Sequence, residues 1–135
     1  MSGEPSRKVV EQFFEGISAG DFDKAYAVIA EDVYWWVAGG EYFPFSGVHT
    51  KADAVKTTAG IVSVFPAGLH LTPTNWVVQG GDVSVEVDGH AVTVDGRNYD
   101  NKYHFFFRVR DGQIVVVKEY HDTLYATKIL IEGLG

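Results

Sequence analysis

The sequence predicts an α+β fold, a cone-shaped, curved mixed or antiparallel sheet with helices on one face. Three observations predict it. The first half of the chain carries apolar residues at helical spacing, interrupted by one short strand pattern. Everything after Pro66 reads as strands separated by Gly-containing turns. Aromatic residues make up 14% of the chain and fall mostly in those strands, which calls for a deep aromatic core or cavity. Helices that precede a run of strands pack on one face of the resulting sheet. A curved sheet that the helices do not cover everywhere leaves a concavity of the kind that ligands occupy.

Pro5 to Ala19 is predicted as an amphipathic helix, with Val9, Val10, Phe13, Phe14 and Ile17 at three- and four-residue spacing. Gly20 ends it, and Asp21 caps a second helix expected over Phe22 to Ala30. Val33 to Val37 follows as a strand, with Val33, Trp35 and Val37 on one face and Tyr34 and Trp36 on the other. Gly39 to Gly47 is a loop or a short strand pair carrying Tyr42, Phe43 and Phe45. Thr50 caps a third helix, Lys51 to Phe65, stopped by Pro66 and Gly68. Leu69 to Gln79 is a strand whose Pro73 demands an edge position or a bulge. Val83 to Val94 turns Val83, Val85 and Val87 to one side and Glu86, Asp88 and His90 to the other, with a bulge expected at Gly89. A long hairpin then spans Arg97 to Tyr125, its turn set by Asp111-Gly112. Thr123 to Leu130 closes the chain as a short helix or turn.

Composition narrows the functions. One domain over residues 1–135 is expected, because the chain is long enough for a real core and too short for two. A net charge of −7 without a basic cluster argues against nucleic acid as a partner. The absence of cysteine excludes disulfides, thiolate catalysis and Cys-zinc sites. No apolar run follows Met1 to Lys8, and no stretch approaches a membrane span, so neither a signal peptide nor a membrane partner is expected and a cytoplasmic location is the default.

The hairpin carries the sharpest chemistry. On its first strand Asn101, Tyr103, Phe105 and Phe107 share a face; on its second Val115, Val117, Glu119 and His121 do. A carboxylate and an imidazole thus end an otherwise apolar face. In an aromatic cavity the carboxylate loses hydration and its pKa rises toward that of a useful acid or base. An imidazole two residues on could trade a proton with it. Glu119 and His121 are therefore the candidate catalytic pair; the structural alternative is that Glu119 merely closes the polar end of the core by bonding Asn101, Tyr103 or backbone. Glu86 pairs with Glu119 if its row with Asp88 and His90 faces the cavity, and is a solvated strand face otherwise. Trp35, Trp76, Tyr103 and Phe105 are core or pocket wall. His49, His70 and His104 read as surface or loop residues. Asp88, His90, Glu119 and His121 have ligand chemistry but no specific metal spacing, so neither a metal nor a cofactor is expected.

Several pieces of the chain resemble the NTF2-like superfamily: the helix pair ending at Gly20-Asp21, the run Glu31-Asp32-Val33-Tyr34-Trp35, and Ser46-Gly47 before a helix. Tyr99 to Tyr103, Phe107 to Ile114 and Lys118 to Thr123 resemble its SnoaL-like group. The resemblance covers nearly the whole chain and implies the cone-shaped α+β barrel also described as cystatin-like. It implies pocket-lining roles for Trp35, Asn101, Tyr103 and His121. It implies a carboxylate at the pocket base at Glu119, as in the epoxide-hydrolase-like members. Those members also have an arginine and an aspartate two apart on the middle strand, where this chain has Glu86 and Asp88 and no arginine. In the polyketide cyclases an aspartate near the end of the last strand is the base; Asp122 matches it loosely, yet alternation turns Asp122 away from Glu119 unless a bulge intervenes. The same residue could instead cap the final helix.

Two functions follow. One is a cofactor-free isomerase, cyclase, dehydratase or hydrolase acting on a small, mostly apolar molecule, with Glu119 as acid or base, His121 as its partner, Asn101 and Tyr103 as donors to a developing oxyanion, and Trp35, Phe105 and Trp76 as walls. The other is a non-catalytic small-molecule-binding dimer with the same pocket. Tyr34, Trp36, Phe106, Val116 and Tyr120 form an apolar patch on the outer sheet face. A homodimer through the sheet, which the resemblance also implies, is the expected cover.

Overall fold

The computed structural model describes residues 3–132; the ends of the domain expected over 1–135 lie outside the described residues. Helix α1, Glu4–Ala19, buries Val10, Phe13, Phe14 and Ile17. It turns into α2, Phe22–Tyr26, where the Asp21 side chain accepts from the Lys24 N–H at 3.1 Å. The two helices meet at Gly16, where a Cβ would stand 2.5 Å from the Ala25 nitrogen, so only glycine permits this approach.

The strands are β1 Ile29–Val37, β2 Gly47–His49, β3 His70–Gln79, β4 Asp82–Val92, β5 Asn98–Arg110 and β6 Gln113–His121. They form one sheet in the order β2-β1-β6-β5-β4-β3. All neighbours are antiparallel except β1 and β6, which run parallel. Helix α3, Lys51–Val64, starts at a capping box in which Thr50 and Asp53 satisfy each other's backbone N–H. Helix α4, Thr123–Ala126, runs on into a wide turn, Thr127–Ile131. Helices α1 and α3 both pack on the inner face of the sheet, α1 against β3 to β6 and α3 against β1 and β2. The fold is thus the α+β arrangement that the sequence predicts.

Three local features differ from the sequence reading. Helix α2 ends at Tyr26 rather than Ala30, and β1 begins at Ile29 rather than Val33. The sheet captures this segment: the Ile114 N–H donates to the Val28 carbonyl at 2.7 Å and Ile29 pairs with Ile114. The apolar pair Val28-Ile29 suits either structure, and tertiary hydrogen bonding decides. Second, Gly89 is not at a bulge: β4 and β5 stay in register from Asp82 to Val92. A Cβ on Gly89 would lie 2.6 Å from the Tyr103 ring, so glycine here makes room for that ring. Third, the register of the hairpin slips between Arg108 and Val109, leaving Val115 as the extra residue. Ile114 and Val117 are therefore both buried, and Val115 does not share the inner face as simple alternation has it.

The turn at Asp111-Gly112 has positive φ at both residues, 52° and 74°, the twist that a two-residue hairpin requires. Pro73 sits on edge strand β3, at a register shift between Pro73 and Asn75. The core is an aromatic stack on the inner face. Phe105 and Phe107 are parallel at 5.4 Å, Phe14 meets both edge-on, and Phe13 bridges Phe107 to Trp35. No described helix is long and apolar enough to cross a membrane.

Candidate functional site

The aromatic stack stops short of α3, and between them a cavity of about 260 Å³ opens. Its floor is the inner sheet face: Trp35 and Val37 from β1, Tyr103 and Phe105 from β5, Glu119 and His121 from β6. Phe13 and Ile17 of α1, Tyr26 of α2 and Ala54, Thr58 and Ile61 of α3 form the walls. Phe43, Phe45, His49 and Ile131 also border it.

Glu119 stands opposite Val37 on one side and Phe105 on the other. One oxygen, Oε1, accepts from the Trp35 indole N–H at 3.4 Å, a long bond. Burial raises the carboxyl from its ordinary range to about 7; the Trp35 bond and the charge of His49 offset this only in part. The group is therefore balanced between acid and carboxylate at neutral pH.

His121 lies between the Tyr103 ring, 5.3 Å away, and the edge of Phe43, 5.0 Å away. Burial lowers its pKa, with Asp122 acting in the opposite direction, so the ring is neutral near pH 7. Its Nδ1 is buried and has no hydrogen-bond partner among the described residues. Tyr103 touches the Tyr99 hydroxyl at 2.8 Å, and the Asn101 amide donates to Tyr99 at 2.9 Å. Burial pushes Tyr103 well above the ordinary tyrosine range, which keeps it a neutral hydroxyl.

The structure thus brings Trp35, Tyr103, Phe105, Glu119 and His121 together on one cavity. It removes three other residues from that wall. Asn101 is fully buried behind it: its amide donates to Tyr99 and to the Asp122 carbonyl, and its oxygen accepts the Lys102 N–H. Glu86 lies on the outer face, where Asn75 donates to it at 3.0 Å, because Val83, Val85 and Val87 take the inner face and the period of two is unbroken. Trp76 lies on edge strand β3 outside the cavity, beneath the Arg7 guanidinium at 4.6 Å. Asp122 caps α4 through the Tyr125 N–H. The imagined metal set is split between faces, since Asp88 pairs with Lys102 and His90 with Asp100 on the outer side. Among the described residues no three His, Asp or Glu side chains gather as metal ligands.

Tyr99 and Tyr26 line the cavity with no site role expected from the sequence, and His49, expected as a surface or loop residue, ends strand β2 and borders the cavity. Tyr99 was within reach, since it shares a face with Asn101 and Tyr103. Tyr26 sits on the apolar side of α2, and only the depth of the cavity distinguishes it from plain core. His49 carries no sequence signal; pairing with Trp35 across β2 and β1 brings it to the site.

The fold is that of the NTF2-like class, and comparison with known proteins agrees. A family model described as the SnoaL-like domain matches residues 10–117, and the chain belongs to that family. A structure of an NTF2-like protein of unknown function from Burkholderia pseudomallei superposes with a TM-score of 0.82 at 20% identity, covering 97% of this chain and 99% of the other. TerC co-crystallised with polyporic acid gives 0.80 at 22% identity, covering 95% and 98%. IdmH from Streptomyces antibioticus, proposed to be a polyketide cyclase, gives 0.77 at 18% identity, covering 93% and 97%. No curated protein matches the chain.

Proposed function

We propose that this protein is a cofactor-independent acid–base enzyme acting on a small, largely apolar carbonyl compound, in the manner of an isomerase or cyclase. The observation that carries the reading is a carboxyl group on the floor of an aromatic cavity with one long hydrogen bond from Trp35, where burial pushes its pKa up to about 7. A base of that strength removes a proton from carbon next to a carbonyl and can return it elsewhere. The carbonyl oxygen gains negative charge as the proton leaves, and needs hydrogen-bond donors in a dry site.

Two groups are suited to that task. The Tyr99 and Tyr103 hydroxyls share a hydrogen bond in which either can donate, and when a ligand oxygen takes the Tyr103 proton, Tyr99, which accepts from Asn101, donates to Tyr103 instead. His121 acts here as a donor rather than a base. Its buried Nδ1 has no partner among the described residues, and a buried lone pair left alone is cheaper than a buried N–H left alone. The proton therefore sits on Nε2, the nitrogen left to meet the cavity. The two donors and the base lie on adjacent strands, because Tyr103 pairs with His121 and Phe105 with Glu119. The rest of the lining is mostly apolar and holds no lysine or arginine, which suits an uncharged substrate. IdmH, a fold neighbour proposed to be a polyketide cyclase, is in line with ring-forming carbonyl chemistry.

The test is deuterium exchange at the α-carbon of a panel of mono- and bicyclic ketones, followed by NMR in D2O. The parent protein is expected to speed exchange for at least one member, and Glu119→Gln to reduce that rate by roughly 10²–10⁴-fold. Ketones that bind without any accelerated exchange would instead mark the cavity as that of a binding module.

A further inference from the structure

We propose that the helix side of the cavity holds a second polar subsite, made by the Tyr26 and Thr58 hydroxyls, which accepts a hydrogen bond from a hydroxyl group on the ligand. The proposal rests on the reading of the ligand as a small ring ketone whose carbonyl meets the sheet side, and it makes that ketone a hydroxylated one.

The geometry is a triangle of oxygens. Tyr26 of α2 and Thr58 of α3 both line the cavity, and both are buried. The Tyr26 hydroxyl lies 3.1 Å from the Ala54 carbonyl oxygen and 2.5 Å from the Thr58 hydroxyl. The Thr58 hydroxyl lies 2.8 Å from the same carbonyl. A carbonyl only accepts, so two hydroxyl protons serve three close contacts, and the triangle is one proton short. At 2.5 Å the two hydroxyl oxygens need a proton between them. The other proton points to Ala54, from whichever hydroxyl still has one to give. Both are committed, and the oxygens offer the cavity only lone pairs. A carbonyl or ether placed here would have to draw a proton out of the triangle and leave a second contact without one. A ligand hydroxyl brings its own. Burial pushes Tyr26 up to about 12, so its proton stays in place at neutral pH.

The sheet side has the opposite polarity, with Tyr103 and His121 as its donors. The Tyr26 ring stacks on Trp35 at 6.2 Å, and the Trp35 indole donates to Glu119 at 3.4 Å. The indole thus stands between the pair of acceptors and the acid. Thr57, beside Thr58 in the lining, gives its own hydroxyl proton to the Asp53 carbonyl at 3.1 Å and adds no donor to this wall. The other lining residues of α1 and α3 are apolar. A ligand is therefore oriented by unlike ends, its carbonyl toward the sheet and its hydroxyl toward the helices. A site built to bond a hydroxyl disfavours the analogue without it, because buried polar groups are then left unpaired.

The experiment is calorimetric titration of the parent with tetralone, with tetralones carrying a hydroxyl at each position of the aromatic ring, and with the matching methyl ethers. At least one hydroxytetralone is expected to bind about fivefold more tightly than tetralone, and its methyl ether more weakly than tetralone. Thr58→Val should abolish the preference for the hydroxyl and leave the affinity for tetralone unchanged. Thr58→Ser, which keeps the oxygen, should retain it. Tyr26→Phe frees the Thr58 proton, so there the ether should gain on the phenol. The proposal is overturned if no hydroxytetralone binds more tightly than tetralone, if the ether binds as well as the phenol, or if the preference survives in Thr58→Val. The parent series decides by itself if that variant does not fold. Binding is read without turnover: a hydroxyl preference with no ketone exchange would contradict the enzyme reading alone, and exchange with no such preference would contradict this proposal alone.

Discussion

At the scale of the residue, Glu119 is a group held against its own preference. The fold surrounds it with rings and gives it one long hydrogen bond, so the native state favours its protonated form. The sign of the effect on stability follows. A folded pKa raised to about 7 from the ordinary 4.5 means that this group's contribution is fully present below pH 4.5 and is lost as pH rises through 7. The loss approaches about 3 kcal/mol at 1.36 kcal/mol per unit. Glu119→Gln should therefore be more stable than the parent at pH 8, by up to that amount, with the advantage gone near pH 4.5. Urea unfolding at the two pH values measures it, and an equal difference at both would contradict the burial argument. Tyr103→Phe tests the donor. It should cost about 1 kcal/mol by leaving the Tyr99 hydroxyl short of a partner, and slow ketone exchange roughly 10²-fold without moving the Glu119 midpoint downward.

What the sequence reveals at this scale depends on alternation. Period-two reading assigns Trp35, Tyr103, Phe105, Glu119 and His121 to the inner face, and they line the cavity. It cannot separate a residue that lines a cavity from one that lies behind it. Asn101 has the right face and the wrong depth, since its amide is consumed by Tyr99 and the Asp122 carbonyl. Glu86 could have been turned outward on the same logic, given the valines that flank it. His49 depends on a β2–β1 pairing between strands separated by a loop, which no local pattern encodes.

At the scale of the element, β5 and β6 set the geometry of the site and Gly89 protects it. The Tyr103 ring lies where the Gly89 side chain would be, a contact that pins the ring against β4. Gly89→Ala would place a methyl group 2.6 Å from the ring carbon Cε1. The variant should lose roughly 1–3 kcal/mol through overpacking and displace Tyr103, with a change in near-ultraviolet circular dichroism. Unchanged melting and spectrum would show that the ring is not so confined. The expectation of a bulge at Gly89 shows the limit of local inference: glycine in a strand signals either a bulge or a close approach, and only the neighbouring strand decides. The bulge within the hairpin, at Val115, falls within a run of four similar apolar residues, where composition carries no register.

At the scale of the molecule, the two faces of the sheet have different fates. The inner face is covered by helices. The outer face carries a polar ladder on β4 and β5, with Asp82 paired to Arg108 and Asp88 to Lys102. Beside it lies an apolar area on β1 and β6, where Tyr34 is 46% exposed and Tyr120 44%, with Trp36 edge-on to Tyr120 at 5.2 Å. A second copy of the chain, related by a twofold axis, is the cover we propose for this area. Light scattering should then give about twice the chain mass of 14.9 kDa at micromolar concentration, and Tyr120→Glu should shift it toward the single-chain value. A parent mass of 14.9 kDa would contradict the proposal. The helix order, the run of strands that builds the sheet and the aromatic interior are legible in the sequence because each follows from periodicity and turn chemistry. The parallel contact of β1 with β6 is not, because it joins segments far apart in the chain.

The proposed chemistry of the cavity turns on the ionisation of one carboxyl group. The most direct measurement is the pH titration of Glu119 in the unmodified protein by ¹³C NMR. A midpoint near 7 is the result expected of a carboxyl stripped of water by the aromatic cavity. A midpoint near ~4.3, the value of an ordinary solvated glutamate, would contradict the account.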